Sequence, residues 1–240
     1  MDKKFRFEFK YAMPERVAKQ VEREIGRHMK PDQHSDKTGE YIVASLYFDS
    51  FGLSDYFEKT GGLIKRKKVR LRIYEPYLNH SEFASLEIKF KDDMVNKKIR
   101  LKLNREEISE FLAKGVKSLL LRKWRPDELK TKNAMLSHLI RVPLRPAALI
   151  AYKRRAFVSG DDNLRITFDH DIKAKEQKDL GLNKFMVPVN KGIVIMEIKY
   201  EYMLPYWLNG IIMKYNLQRD AFSKYGRGIE AIHRYNPLLR

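Results

Sequence analysis

Three consecutive segments alternate apolar and charged residues with a period of two: Lys68–Tyr74, Ser85–Lys91 and Lys98–Leu103. Successive side chains of a β-strand point to opposite faces, so each segment has one aliphatic face and one charged face. A solvated outer face would mix hydroxyls and both charge signs, whereas this face is almost wholly basic, with Glu87 among the cations. Because like charges on paired strands destabilise a sheet, the pattern favours a bound anion.

The same alternation occurs at the amino terminus, in residues 4–12, and again in 146–158, 163–170 and the segment ending at Tyr200. Helical spacing of apolar residues predicts helices over about 14–29, 104–114, 127–141, 204–215 and up to about 234. Asn104 and Glu107 form a predicted capping box at one of these helix starts. With no repeat or linker, we expect one α+β domain over residues 1–240, with helices around a single antiparallel β-barrel.

Charge and composition narrow the classes of partner. The 240 residues carry 49 Lys+Arg against 31 Asp+Glu, a net charge of +18, which points to a polyanion. A hydrophobic content of 43% is enough for a packed core.

Several chemistries are excluded. The absence of cysteine rules out disulfides, thiolate metal sites and a cysteine nucleophile. There is no phosphate-binding loop of the Gly-x-x-x-x-Gly-Lys-Ser/Thr type, no Gly-x-Gly-x-x-Gly fingerprint and no Gly-x-Ser-x-Gly elbow. The six histidines lack the spacing of metal ligands.

The sequence also predicts a cytoplasmic protein. The first residues enter a charged strand without the apolar run of a signal peptide, and no segment approaches the ~18 apolar residues of a membrane span. A position at the inner face of a membrane, with a membrane protein as partner, stays open.

Ordered short motifs along nearly the whole chain resemble the polyphosphate-polymerase (VTC) domain of the vacuolar transporter chaperone, within the triphosphate tunnel metalloenzymes. No single motif is specific to this family, but the order in which the motifs occur along the chain is. They are Arg6–Tyr11, Ser45–Asp49, Arg70–Tyr74, Leu86–Lys89, Tyr152–Phe157, Arg165–Ile166, Met196–Tyr200 with Leu204–Pro205, and Phe222–Tyr225.

The resemblance implies a closed antiparallel β-barrel, or tunnel, with a charged lumen and surrounding helices. It implies catalytic roles for Arg70, Arg72, Lys89 and Lys199, and phosphate or nucleotide binding by Lys10, Arg154, Arg165, Ser223 and Lys224. Glu197 is the expected ligand of Mn²⁺ or Mg²⁺, while Glu87 and Glu8 are weaker candidates that equally suit a role as internal counter-ions. The expected ligands are ATP and inorganic polyphosphate, with no specific nucleic acid.

One departure concerns the amino-terminal motif. Arg6 stands where other tunnel enzymes have the first Glu of Glu-x-Glu-x-Lys. The site therefore has fewer carboxylates, which favours the binding of a long anion. The expected reaction is transfer of the ATP γ-phosphoryl group to a growing polyphosphate chain.

Two other functions remain open at this point. One is a triphosphatase that uses water as acceptor, and the other is a non-enzymatic binder of polyphosphate or nucleic acid. Some basic residues also have structural alternatives: Lys91, Lys98 and Lys102 can lie outside the lumen, and Lys65–Lys68 can form a solvated rim. Tyr47 and Asp49 can be scaffold residues.

Overall fold

An antiparallel ten-stranded sheet dominates the computed structural model, which describes residues 7–33, 39–74, 82–92, 95–161, 163–176, 180 and 185–235. The strands are β1 (Phe7–Pro14), β2 (Lys30–Pro31), β3 (Glu40–Asp49), β4 (Lys65–Ile73), β5 (Phe83–Asp92), β6 (Val95–Asn104), β7 (Arg145–Val158), β8 (Leu164–Lys175), β9 (Val187–Pro188) and β10 (Ile193–Tyr200). The helices are α1 (Glu15–Ile25), α2 (Ser54–Thr60), α3 (Arg105–Lys114), α4 (Val116–Leu121), α5 (Leu129–Leu139), α6 (Tyr206–Lys214) and α7 (Lys224–Tyr235).

The prediction of a closed barrel is wrong. The strand order is β1-β10-β8-β7-β3-β4-β5-β6, and the edge strands β1 and β6 do not pair with each other within the described ranges. One edge of β1 pairs with β10, and the other contacts the segment before α7, where Asp220 N–H donates to Lys10 O at 2.8 Å. Since this segment occupies the edge that closure would need, the sheet stays open.

The open sheet is nevertheless strongly curled. Lys89 on β5 lies 3.6 Å from Glu8 on β1, although five strands separate them in the sheet order. At a spacing of about 4.8 Å between neighbouring strands, a flat sheet would hold them about 29 Å apart. The charged strand faces therefore turn toward each other on the concave side.

The apolar strand faces point outward against helices, as the family resemblance implies. Leu86 and Ile88 of β5 belong to a core with Ile108 and Phe111 of α3. A second core joins β1, β8 and β10 to α1 and α6, with Val21 among its fully buried residues. The Asn104 capping box is confirmed, with Glu107 N–H donating to the Asn104 side chain at 2.9 Å. This arrangement leaves the concave side for charge.

Helix α7 covers part of the concave face and forms a third core there. Its Ile229 and Ile232 are buried with Ile150, Ile172 and Ile195 of the sheet. The helix approaches β7 so closely that a Cβ atom on Gly228 would stand 2.2 Å from the Ile150 Cδ1 atom. A side chain at position 228 would require the end of the Ile150 side chain to move.

Relative to Gly210→Ala, which gains the same helix propensity, we expect Gly228→Ala to lower the free energy of unfolding by about 1–3 kcal/mol, because Ile150 must shift to admit the methyl group. Denaturant unfolding measures this loss. Gly210→Ala in α6 is the matched control, since a Cβ there meets nothing within 4 Å. Equal stability of the two variants would contradict the close packing of α7.

Candidate functional site

A cavity of about 260 Å³ lies on the concave side of the sheet, between β1, β3, β4, β5, β7, β10 and the start of α7. Most of the residues expected to bind phosphate or metal line it. They are Glu8, Lys10, Arg70, Arg72, Lys89, Arg154, Glu197, Lys199, Ser223 and Lys224. Cations that are far apart in the chain thus meet in one enclosed space. Arg6 lies outside the described residues.

Arg165 is the expected phosphate ligand that does not line this cavity. It shares a strand face with Asp169, but its guanidinium contacts the Asp32 carboxylate and donates to Tyr41 OH at 3.2 Å. The alternation of side chains along β8 correctly puts Arg165 on the same strand face as Asp169. It cannot show that a carboxylate from residue 32 holds the side chain.

Glu87 is a buried counter-ion and not a lining residue of the cavity. Its side chain is 0% exposed and accepts from Arg70 Nε and Nη2 at 2.8 and 2.6 Å. Lys98 and Arg100 approach its other oxygen at 2.6 and 3.1 Å. Lys98 thus pairs with Glu87 without lining the cavity, and Lys102 lies over the Phe83 ring at 3.6 Å. Burial opposes ionisation, but Arg70 leads the cations that lower the pKa of Glu87 far below its usual range.

A second buried carboxylate, Asp169, orients Arg154. Two Arg154 nitrogens donate to the two Asp169 oxygens at 2.6 and 2.8 Å, and Lys224 Nζ lies 2.5 Å from the same carboxylate. Tyr152 OH accepts from both Arg154 and Arg72, at 3.4 and 3.3 Å. The fork geometry fixes both guanidinium planes, which suits bidentate phosphate contacts. The sequence placed Asp169 on the charged face of its strand without identifying this role.

Glu8 and Glu197 share two lysines on neighbouring strands. Lys10 Nζ lies 3.2 Å from Glu8 and 3.8 Å from Glu197, and Lys199 Nζ lies 2.6 Å from Glu197 and 4.0 Å from Glu8. Burial and the Glu197 charge raise the pKa of Glu8, but Lys89, Lys10 and Lys199 outweigh them and lower it to about 2. Both carboxylates are therefore ionised at neutral pH.

These two carboxylates fit a divalent cation that is shared with substrate. Mg²⁺ is commonly held by one or two carboxylates together with substrate phosphates and water. The described residues contain no group of three or more His, Cys, Asp or Glu that could hold a metal without such help. Glu8 and Glu197 would thus complete a cation site only once phosphates bind and give Lys10 and Lys199 new partners.

Two cavity lysines are poorly compensated. Burial lowers the pKa of Lys89 to about 7 and that of Lys68 to about 8. Lys68 Nζ donates to Ser223 Oγ at 2.7 Å, and no carboxylate in the described chain lies within salt-bridge distance of it. A bound polyanion would favour the charged form of both lysines.

We expect the affinity for tripolyphosphate to fall as the pH rises from 6 to 9, because binding must then return protons to Lys89 and Lys68. The loss is up to about tenfold per pH unit for each lysine above its pKa. Calorimetry in two buffers of different ionisation enthalpy measures this proton uptake. Lys89→Arg, which stays charged, should flatten the profile; an unchanged profile would contradict the assignment.

The mouth of the cavity carries cations without counter-ions. Lys59, Arg66, Lys67 and Lys91 line it and form no ion pair with any residue that the structure describes. Lys59 was not predicted, because α2 has no strand periodicity to place it. Lys10, Lys89, Lys199 and Arg154 are paired with carboxylates, whereas these four cations are not. An anion long enough to reach them would gain further contacts.

Tyr47 is part of the cavity wall, and Asp49 lies behind it. Tyr47 OH accepts from Arg70 at 3.2 Å, and its ring stacks on Tyr225 with centroids 5.0 Å apart. Tyr225 OH donates to Asp49 at 2.6 Å, which fastens α7 to β3. Asp49 is thus a scaffold residue, while Tyr47 also lines the cavity.

Asp55 is fully buried beside Asp49, and neither of its carboxylate oxygens has a hydrogen-bond partner in the described chain. Burial, reinforced by the Asp49 charge, raises the pKa of Asp55 to about 7. A carboxyl with a raised folded-state pKa contributes stability at low pH that is lost as the pH rises through about 7.

We therefore expect Asp55→Asn, which cannot ionise, to raise the free energy of unfolding by about 2–4 kcal/mol at pH 8. At pH 4, close to the pKa of an Asp in the unfolded chain, the two proteins should differ by less than about 1 kcal/mol. Denaturant unfolding at both pH values tests this, with the exposed Asp127→Asn as control. A stabilisation that is independent of pH would show that Asp55 does not titrate in this range.

No helix in the described part of the chain has both the length and the apolar character that crossing a membrane requires.

Comparisons with known proteins agree with this geometry. A putative adenylate cyclase from Bacillus halodurans has a similar fold, with a TM-score of 0.53 and 12% identity, over 93% of this chain and 96% of that one. A putative adenylyl cyclase from Hippeastrum, described as having a dominant triphosphatase activity, matches with a TM-score of 0.53 and 14% identity, over 95% and 97% of the two chains. At these identities the likeness concerns the fold alone. No curated protein matches the chain.

A family model described as the VTC domain matches residues 5–233, which is nearly the whole chain. This range contains every residue that lines the cavity. The chain therefore belongs to the VTC domain family.

Proposed function

We propose that the protein transfers the γ-phosphoryl group of ATP to the end of an inorganic polyphosphate chain inside this cavity. The observation that carries the proposal is the convergence of Arg70, Arg72, Arg154, Lys10 and Lys199 from four strands on one cavity. Such a cavity can neutralise a chain of phosphates without reading a base.

The proposed mechanism relies on alignment and charge neutralisation. A terminal phosphate is already ionised at neutral pH, so its attack needs no strong general base. Arg72 and Arg154, held by Ser45 at 3.0 Å and by Asp169, would fix the transferring group in line with the attacking oxygen. Lys10, Lys89 and Lys199 would balance the charge on its oxygens.

Glu8 and Glu197 would hold Mn²⁺ or Mg²⁺ against the phosphates. A bound cation would supply Lewis-acid neutralisation of the phosphate oxygens. In this proposal the carboxylates also keep Lys10 and Lys199 oriented toward the chain.

A triphosphatase is the second candidate, favoured by the description of the Hippeastrum protein. Water would then replace the phosphate acceptor in the same cavity. The unpaired cations at the mouth favour the polymerase, because a hydrolase acting on triphosphate has no chain to hold there.

A binder of nucleic acid ranks below both enzymes. Single-stranded nucleic acid is usually held by aromatic rings that are free to stack on bases. Here Tyr47 and Tyr225, which line the cavity, already stack on each other.

Incubation with ATP and Mn²⁺, followed by gel analysis of polyphosphate and an assay of free phosphate, separates these functions. We expect a lengthening polymer from the wild type, and none from Arg72→Gln. Lys117→Gln, a charge change on exposed α4, is the control. Free phosphate without polymer would indicate the triphosphatase, and no turnover of ATP would leave a phosphate binder.

A further inference from the structure

A second cavity of about 220 Å³ lies further along α7 and shares no lining residue with the first. One wall is a face of α7 with the spacing i, i+3, i+4, i+7, and the other is the loop between β9 and β10. The lining residues are Pro188, Val189, Asn190, Lys191, Arg227, Glu230, Ala231 and Arg234. We call this cavity the α7 groove.

Both walls of the α7 groove are anchored. Val189 N–H donates to Ile172 O of β8 at 2.9 Å, and Gly192 O accepts from Glu15 N–H of α1 at 3.0 Å. On the other side, Gly228 holds α7 against Ile150. The groove is therefore a fixed feature between two supported backbones.

The charge of the α7 groove is positive and largely uncompensated. Arg227 Nη1 shares the Glu230 carboxylate at 3.1 Å, so that pair is partly neutral. Lys191 and Arg234 form no ion pair with any residue in the described ranges, although both line the groove. Lys191 and Arg234 are both exposed, and Glu230 is the one carboxylate among the lining residues.

The distance between the cations limits the shape of an anion that can contact them together. Arg227 and Arg234 are seven residues apart on α7, which corresponds to about 10.5 Å along the helix axis. An anion that contacts both must be extended, and Lys191 on the loop offers a third contact between the walls. A linear chain of phosphates has this shape and charge density.

We propose that the α7 groove is a second binding site for a linear polyphosphate chain, outside the cavity where the reaction takes place. Naming polyphosphate as the ligand rests on the proposed function, whereas binding of an extended phosphate anion does not. Lys224, which lines the first cavity, is one helical turn from Arg227, so a single chain can follow α7 from one cavity to the other.

Calorimetric titration with tripolyphosphate, without metal or nucleotide, tests this proposal. We expect two sites in the wild type and one in Lys191→Gln/Arg234→Gln, because losing two charged contacts weakens the second site about tenfold or more. The matched control is Lys117→Gln/Lys130→Gln, which removes the same charge from exposed positions on α4 and α5 and should keep two sites. Equal melting temperatures of both pairs establish that the fold is intact.

The outcomes separate the two proposals. If the groove pair keeps both sites, or if the control pair loses one as well, the α7 groove is not a specific site and the inference is overturned. A third outcome is a single site in the wild type that is lost in Lys191→Gln/Arg234→Gln and kept in the control pair. In that case the α7 groove binds the phosphate chain and the first cavity does not.

Discussion

Replacing Glu87 by Gln is expected to lower the free energy of unfolding by about 3–5 kcal/mol, as removal of one partner from a buried ion pair commonly does. Glu87 is 0% exposed and neutralises Arg70, Lys98 and Arg100 together. Without its charge, Arg70, whose side chain is 11% exposed, would stay buried beside Lys98 with no counter-ion. Denaturant unfolding near neutral pH measures the effect.

The control for this variant is Glu110→Gln on α3. Glu110 also pairs with a lysine, Lys114 at 3.3 Å, but both side chains are more than half exposed. Exposed pairs contribute about 0–1 kcal/mol, so this variant should be nearly neutral. Tripolyphosphate should restore part of the stability of Glu87→Gln, because a bound anion supplies the missing charge. Loss without such rescue would argue against an anion near Arg70.

The second large effect is expected on activity. Glu197→Gln should reduce ATP turnover by about a hundredfold or more, a size typical of removing one preorganised electrostatic group. Glu197 is 6% exposed and holds Lys199 at 2.6 Å. Burial opposes its ionisation, but Lys199 and Lys10 keep the pKa of Glu197 well below its usual range.

A metal titration separates the two roles of Glu197. If it binds a cation, Glu197→Gln should need more Mn²⁺ for half-maximal rate, while Glu201→Gln just beyond β10 should behave as wild type. If it serves only as a counter-ion, the variant should change the affinity for tripolyphosphate and leave the metal requirement unchanged. That second result would remove Glu197 from the proposed metal site.

Local patterns in the sequence predicted the strands and which residues share a strand face. The alternation put Arg70 and Arg72 on one charged face, the family resemblance implied that this face points inward, and Asn104 correctly marked a helix start. The short helix α4, Val116–Leu121, was not predicted, because six residues show too little apolar periodicity. A period-two pattern therefore identifies strand faces reliably, whereas a helix of six residues is too short to be recognised from its apolar spacing.

Long-range contacts could not be predicted in this way. Closure of the sheet depends on what lies along the free edge of β1, and only the fold shows Asp220 there. Arg165 was assigned to phosphate by its motif, yet Asp32, 133 residues away, holds it. The division of Glu8, Glu87 and Glu197 between counter-ions and cavity residues likewise depends on which cations each one meets in space.

The most direct test of the central claim is a crystal structure with tripolyphosphate and Mn²⁺. We expect phosphates in the first cavity within hydrogen-bond distance of Arg72, Arg154 and Lys199, with the cation against Glu8 and Glu197. Phosphate found only on the exterior, with the ion pairs of the cavity unchanged, would contradict the claim that these cations form a phosphate site.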